Sequence, residues 1–326
     1  MTLASHFLND GSANPPGMSV FLNLDTLVDH ARFDLQDESG RRECFQRLQA
    51  DGFEGVQFTD NFRFEPGLGL RHCGLDRINA AQEADTVAAR HVDRGDLCVT
   101  LHVGWGIEDD TEVSRLVEAI LAASLRYRLP MFIETHRATI TQDLWRTVQI
   151  ARQFPEVRFN GDFSHYYCGQ ELVYGDWEQK LAFMEPIFSR IAFMHGRVAS
   201  PGCIQVPIDP DLSARPRQAH GVVDYLAHFK NLWTRAILGF LRSAIPGDFL
   251  IFAPEILSGR HYYARMFQNE SGHLVEESDR YTQALLYRDL ARSCFDSACQ
   301  MISYPSGRAD IPDLATQASQ SKNTSR

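Results

Sequence analysis

Short apolar runs alternate with helix-length amphipathic segments along nearly the whole chain. Eight runs read as strands: 18–24 (MSVFLNL), 52–58 (GFEGVQF), 67–75 (GLGLRHCGL), 97–104 (LCVTLHVG), 131–135 (MFIET), 157–163 (VRFNGDF), 190–195 (RIAFMH) and 249–255 (FLIFAPE). An apolar run closed by one polar group is the pattern of a parallel strand whose faces are both covered. Between the runs, helices are predicted over 39–50, 79–94, 110–127, 141–153, 176–189, 219–243 and 279–301. The strongest carries Val113, Leu116, Val117, Ile120, Leu121 and Leu125 on one stripe, after an acidic, cap-forming start at Asp109, Asp110 and Thr111. Strand–helix alternation without a composition break predicts an α/β fold, a single (β/α)8 TIM barrel over 18–303. Residues 1–17, polar with Pro15, Pro16 and Gly17, are expected as a flexible N-terminal arm, and 304–326 as a disordered tail.

Four successive runs end in residues able to hold a divalent cation: Glu134, Asp162, His195 and Glu255. In a (β/α)8 barrel the carboxyl ends of all strands open on one face, so side chains placed there converge. Three carboxylates and one imidazole make an oxygen-rich donor set. It suits Mn²⁺ first, then Mg²⁺ or Co²⁺, and is compatible with Zn²⁺ or Fe²⁺. An ion so held supplies Lewis-acid chemistry beside a carbonyl, and the glutamates at either end of the set can act as an acid/base pair across an enediolate. The alternative is that both glutamates only bind the ion and another residue, His165 first among them, is the base.

The formal net charge of −10, with no lysine- or arginine-rich run, disfavours nucleic acid as a partner. The cysteines, Cys44, Cys73, Cys98, Cys168, Cys203, Cys294 and Cys299, form no C-x-x-C pair and read as reduced thiols of a cytoplasmic protein. Neither a signal peptide nor an 18-residue apolar span is read in the sequence.

Several further residues border the proposed ligands. The stretch 196–218, rich in Pro and Gly, is the longest connection and is expected to act as a lid or wall. His102 ends the fourth strand as a hydrogen bonder to substrate or backbone. Trp105 follows it as a stacking surface or rim-packing residue. His136 and Arg137 are expected to cap the next helix, His261, Tyr262 and Tyr263 to wall the pocket, and Phe229 and Trp233 to pack helix against barrel.

Strand-end Glu134, the D-x-x-H of Asp162 and His165, His195, Glu255 and the run HGRVASPGCIQVP together resemble the xylose isomerase-like TIM barrels, in particular the sugar phosphate isomerase/epimerase family. The resemblance covers about residues 18–300. It implies that Glu134, Asp162, His195 and Glu255 are the metal ligands, that the two glutamates are also the acid/base pair, and that His165 and Arg197 contact substrate oxygens. The implied activity is isomerisation or epimerisation of a small carbohydrate or sugar-derived substrate, in a protein that is a homo-oligomer. A lyase, dehydrating or cleaving a 3-oxo-glycoside or C-glycoside, is the alternative, since an enediolate with a β leaving group collapses by elimination. An endonuclease IV-type activity is less favoured, because the segment PIDPDLSA lacks the Asp-x-His pair of those three-zinc enzymes.

Overall fold

In the computed structural model the described residues are 7–59, 69–209 and 224–303. The expected tail 304–326, residues 67–68 of the third predicted strand, 219–223 of the seventh predicted helix and 210–218 of the long connection lie outside them. The strands are β1 (Leu8–Asn9), β2 (Gly17–Asn23), β3 (Gly55–Phe58), β4 (Arg71–Ile78), β5 (Val99–Val103), β6 (Met131–Glu134), β7 (Phe159–Asn160), β8 (Ile191–Gly196), β9 (Asp248–Pro254), β10 (Met266–Gln268) and β11 (Leu274–Glu276). The helices are α1 (Glu38–Ala50), α2 (Glu83–Arg94), α3 (Asp110–Tyr127), α4 (Leu144–Gln153), α5 (Ser164–Gly169), α6 (Trp177–Phe188), α7 (Tyr225–Leu241) and α8 (Arg280–Ser303).

Strands β2 to β9 pair in chain order, all parallel, and β9 pairs with both β8 and β2, so the sheet closes. His195 stands opposite Ala253 and Ser19 opposite Ile251 in the closing registers. This is the eight-stranded barrel expected from the alternating runs. Every residue of β8 and β9 is buried, as a strand inside a ring of helices requires.

The helices are set by local chemistry. Asp109 accepts from Glu112 N–H while the Glu112 carboxylate accepts from Asp109 N–H, a reciprocal cap that starts α3. Asp37, Asp143, Asp176 and Asp224 cap α1, α4, α6 and α7 from one side only, each side chain accepting a backbone N–H. Gly95 closes α2 in the left-handed conformation that glycine adopts without strain. Trp233 on α7 meets Phe252 of β9 edge to face at 5.0 Å between ring centres, so this residue is packing. The predicted stripe of α3 drifts, however. Leu121 is half-buried and Leu125 is exposed, because a 3.6-residue helix carries the buried arc on to Ala123 instead.

The N-terminal stretch expected as a loose arm is tied down in its described part. β1 pairs antiparallel with the start of β9, at the floor of the barrel, and Phe7 and Leu8 are buried. Phe7 meets Phe240 edge to face at 5.0 Å. The apolar pair Phe7–Leu8 inside an otherwise polar stretch accounts for the anchoring.

Candidate metal centre

Each of the four expected ligands is placed by a different strand end. Glu134 is the last residue of β6, and its carbonyl accepts from the Thr141 hydroxyl at 2.5 Å. The seven-residue run expected as the sixth strand forms ladder pairs only at Phe159 and Asn160, where the register with β8 shifts. The chain then turns through Gly161, whose N–H donates to Phe193 O at 2.8 Å, and Asp162 enters the barrel. Asp162 Oδ1 accepts from the N–H of Ser164 at 3.0 Å and from its hydroxyl at 2.5 Å at the start of α5. His195 lies within β8, and Glu255 directly follows β9.

The four side chains each offer a ligand atom within 4.8 Å of the others, and all four are buried. His195 Nδ1 is 3.3 Å from Glu134 Oε2 and 3.4 Å from Glu255 Oε2. Arg197, expected to meet substrate, is 1% exposed and turned onto the ligands. Its Nε donates to Glu255 O at 3.0 Å, its Nη2 pairs with Glu255 Oε2, and its Nη1 stands 3.5 Å from Asp162 Oδ2.

Three buried carboxylates in one place repel one another, and the titration of Asp162 shows it. Burial pushes the Asp162 carboxyl up to about 6, with Arg197 opposing and Glu134 and Glu255 adding to the rise. Burial favours a neutral His195, but the charges of Glu255 and Glu134 outweigh it and raise the ring to about 9. For Glu134, too, burial favours the neutral form, yet His102 and His195 hold it well below the usual carboxylate range. Asp162 Oδ2 and Asn160 Oδ1 have no hydrogen-bond partner among the described residues. A carboxylate oxygen without a hydrogen bond at this depth is costly, with Arg197 Nη1 no nearer than 3.5 Å, and a bound cation would offset that cost. The residues therefore fit a divalent cation.

The other expected residues fall around this centre. His102 Nε2 lies 3.3 Å from Glu134 Oε1. His165 Nε2 lies 3.5 Å from Asp162 Oδ2, and its Nδ1 has no hydrogen-bond partner. Burial, with His136 and Arg197 nearby, holds His165 well below the ordinary histidine range. Trp105 sits on the rim, 57% exposed, with the Arg77 guanidinium 4.3 Å from its ring centre. Tyr263 does wall the site, its ring centre 4.6 Å from the Arg197 guanidinium, whereas Tyr262 is turned to solvent in a left-handed backbone conformation. The ring of His136 is 4.6 Å from that of His102 and 3.9 Å from that of His165, so it borders the site, and the capping of the next helix expected of His136 and Arg137 is done by Asp143.

His102, Glu134 and His136 also lie close enough for a second ion sharing Glu134. The backbone argues against it. Ala138 N–H donates to His136 Nδ1 at 3.1 Å, which leaves the proton of the neutral ring on Nε2 and makes that nitrogen a donor. Burial lowers this ring to about 3, so it stays neutral.

Sequence reasoning missed the polar residues beneath the ligands. Asn160 Nδ2 donates to Glu134 Oε2 at 3.0 Å, and Asn23 Nδ2 donates to Glu255 Oε1 at 2.9 Å. Gln57 and Thr100 extend the same network. The available signal was one polar residue interrupting an otherwise apolar strand, in VFLN, GVQF, CVTL and RFN.

No family model and no curated protein matches the sequence. Among solved structures, the chain is similar to the probable 3-DHS dehydratase AsbF involved in petrobactin synthesis from Bacillus anthracis, at 14% identity over 75% of this chain and 94% of that one, with a TM-score of 0.48. It is also similar to a xylose isomerase domain protein from Planctomyces limnophilus, at 10% identity over 89% and 99% of the two chains, with a TM-score of 0.47. A thermostable mutant of the xylanase Xyn10A from Cellvibrio japonicus aligns at 11% identity over 86% and 98%, with a TM-score of 0.43. Likenesses at this level assign no reaction. The fold rests on the chain's own closed sheet, and the site on four side chains that converge at its carboxyl end.

Proposed function

We propose that the protein is a divalent-metal-dependent isomerase or epimerase, acting on a sugar or sugar-derived substrate through an enediolate. The observation that carries this reading is the convergence of Glu134, Asp162, His195 and Glu255, all buried, within 4.8 Å of one another. These residues would hold the ion, with Mn²⁺ the first choice, and when bound it supplies Lewis-acid polarisation of a substrate oxygen. The cytoplasm is the proposed location and a small carbohydrate the proposed partner. Among the described residues no helix is long and apolar enough to cross a membrane.

Glu134 ends β6 and Glu255 follows β9, with β7 and β8 between them, so they approach the cavity from separate directions. Removal of a proton from the carbon beside a carbonyl by one, and its return by the other to the opposite face or the next carbon, gives epimerisation or isomerisation. Asn23 and Arg197 fix the Glu255 oxygens, and Asn160 and His102 face those of Glu134. In this reading His165, held neutral by burial and with no hydrogen-bond partner on Nδ1 among the described residues, hydrogen-bonds a substrate hydroxyl.

The test is incubation of the Mn²⁺-loaded protein with aldoses, ketoses and sugar acids in deuterated water. The reading expects exchange of one carbon-bound hydrogen, or its internal transfer to the adjacent carbon, with the carbon skeleton intact. Release of water or an aglycone from a 3-oxo-glycoside in place of exchange would move the protein to the lyases. Absence of both, with the ion bound, would overturn the reading.

A further inference from the structure

His195 can hold an ion through only one ring nitrogen, and the contact made by the other decides which. Its Nε2 lies 2.7 Å from Oε1 of Gln57, a fully buried side chain on β3. The Gln57 amide is oriented by three further contacts. Its Nε2 donates to Thr100 Oγ1 at 2.8 Å and to Gly74 O at 3.4 Å, while Asn23 Nδ2 donates to the same Oε1 at 3.1 Å. Turned over, the amide would set N–H groups against the donors of His195 and Asn23 and an oxygen against the Gly74 carbonyl. An amide oxygen only accepts, so His195 Nε2 keeps a proton whether or not the ring is charged. Nδ1 is then the nitrogen that faces Glu134 and Glu255. Asn23 also donates to Glu255 Oε1 at 2.9 Å, so the same network reaches a second ligand.

We propose that Gln57 is a positioning residue of the metal centre. It retains the Nε2 proton of His195 so that Nδ1 is presented to the ion, and through Asn23 it ties the orientation of His195 to that of Glu255. The inference rests on the metal-centre reading above, but it has a readout that needs no ion.

The experiment uses the full chain with ¹⁵N-labelled histidine, metal-free and then titrated with Zn²⁺, in wild type, Gln57→Leu, Gln57→Glu and Thr100→Val. In the wild type, His195 Nε2–H should exchange slowly with solvent before and after Zn²⁺ binds. Gln57→Leu should lose the slow exchange and bind Zn²⁺ about 10–100-fold more weakly, the usual cost of removing an outer-shell partner. Gln57→Glu, which keeps an acceptor oxygen, should restore both. Thr100→Val frees the Gln57 amide without touching His195 and should shift both readouts in the same direction by less, which keeps the test open if Gln57→Leu does not fold. Slow Nε2–H exchange and wild-type Zn²⁺ affinity in Gln57→Leu or, failing that variant, in Thr100→Val, would overturn the proposal. So would a Gln57→Glu variant no better than Gln57→Leu. A wild type that binds no Zn²⁺ would sink the metal reading, and the exchange of the metal-free protein would still decide the role of Gln57.

Discussion

Two buried clusters of acids and histidines lie on the same barrel, and they differ in what their atoms lack. Between β4 and α2, Asp96 accepts from His72 Nδ1 at 2.6 Å, His91 Nδ1 at 2.5 Å and Arg94 Nε at 2.7 Å. Asp76 accepts from Arg77 N–H at 2.7 Å and His91 Nε2 at 2.9 Å, and it pairs with Arg90. No carboxylate oxygen there is left over. At the barrel mouth three carboxylates share His195 and Arg197, and Asp162 Oδ2, His165 Nδ1 and Arg197 Nη1 have no hydrogen-bond partner among the described residues. Residue types alone would nominate both clusters as metal sites. Satisfaction separates them: the carboxylates of the first are fully hydrogen-bonded and hold α2 to the sheet, and the second keeps polar atoms without a hydrogen bond.

Substitutions should break this contrast cleanly. The largest effect is expected from Asp162→Ala, which takes away the carboxylate oxygen that has no hydrogen bond: metal binding and turnover should fall to background together. In the metal-free state its Tm should equal or exceed that of wild type, because a strained carboxylate has gone. Calorimetry beside metal analysis checks both, and a large loss of metal-free stability would show Asp162 to be structural. Next come Glu134→Gln and Glu255→Gln. Each keeps one oxygen for the ion and loses the base, so metal content should largely persist while turnover and solvent exchange fall by about 10²–10⁴-fold. Full exchange in both variants would assign the base elsewhere, with His165 the next candidate.

The β4–α2 cluster should behave in the opposite way. Asp96→Ala leaves His72, His91 and Arg94 without their shared acceptor and should cost about 3–5 kcal/mol of stability in denaturant unfolding, with metal affinity unchanged. A loss of metal binding without loss of stability would reverse the two assignments.

The smallest effects concern pH, where Asp96 and His195 carry opposite signs. Burial works against ionisation of Asp96, but His72, His91 and Arg94 hold it well below the usual carboxylate range. Its stabilisation is present above about pH 4 and lost as pH falls. His195, raised to about 9, stabilises the metal-free fold below about pH 6.5 and loses that contribution as pH rises through 9. Metal must displace its proton. Affinity should therefore climb about tenfold per pH unit between about 6 and 9, and more steeply below 6, where Asp162 is also protonated. Titration calorimetry in buffers of different ionisation enthalpy should show about one proton released at pH 7.

Much of this was legible in the sequence, for a physical reason. Parallel strands buried on both faces are mostly apolar, so the polar residue that ends each run marks the barrel's open face, and Glu134, Asp162, His195 and Glu255 all stood at such ends. What was hidden depends on contacts across the barrel. Gln57 on β3 meets His195 on β8 only once the sheet closes, and nothing within GVQF announces that partner. Helix α5 escaped because Ser164, His165, Tyr166 and Tyr167 are all buried, which leaves no amphipathic period to read. The β10–β11 hairpin escaped for the converse reason: Met266, Phe267, Leu274 and Val275 are all exposed, so its alternation marks no core. A substrate contact for Arg197 was implied only by the family resemblance. In the fold its charge is spent on Glu255 and Asp162.

The most direct measurement is a crystal structure of the protein grown with Mn²⁺, with anomalous scattering to locate the ion. The account predicts one ion per chain, about 2.0–2.4 Å from Glu134, Asp162, His195 Nδ1 and Glu255, and none at the β4–α2 cluster. An ion bound by His72, Asp76, His91 or Asp96, or a barrel mouth that holds none while its four side chains stay in place, would contradict it.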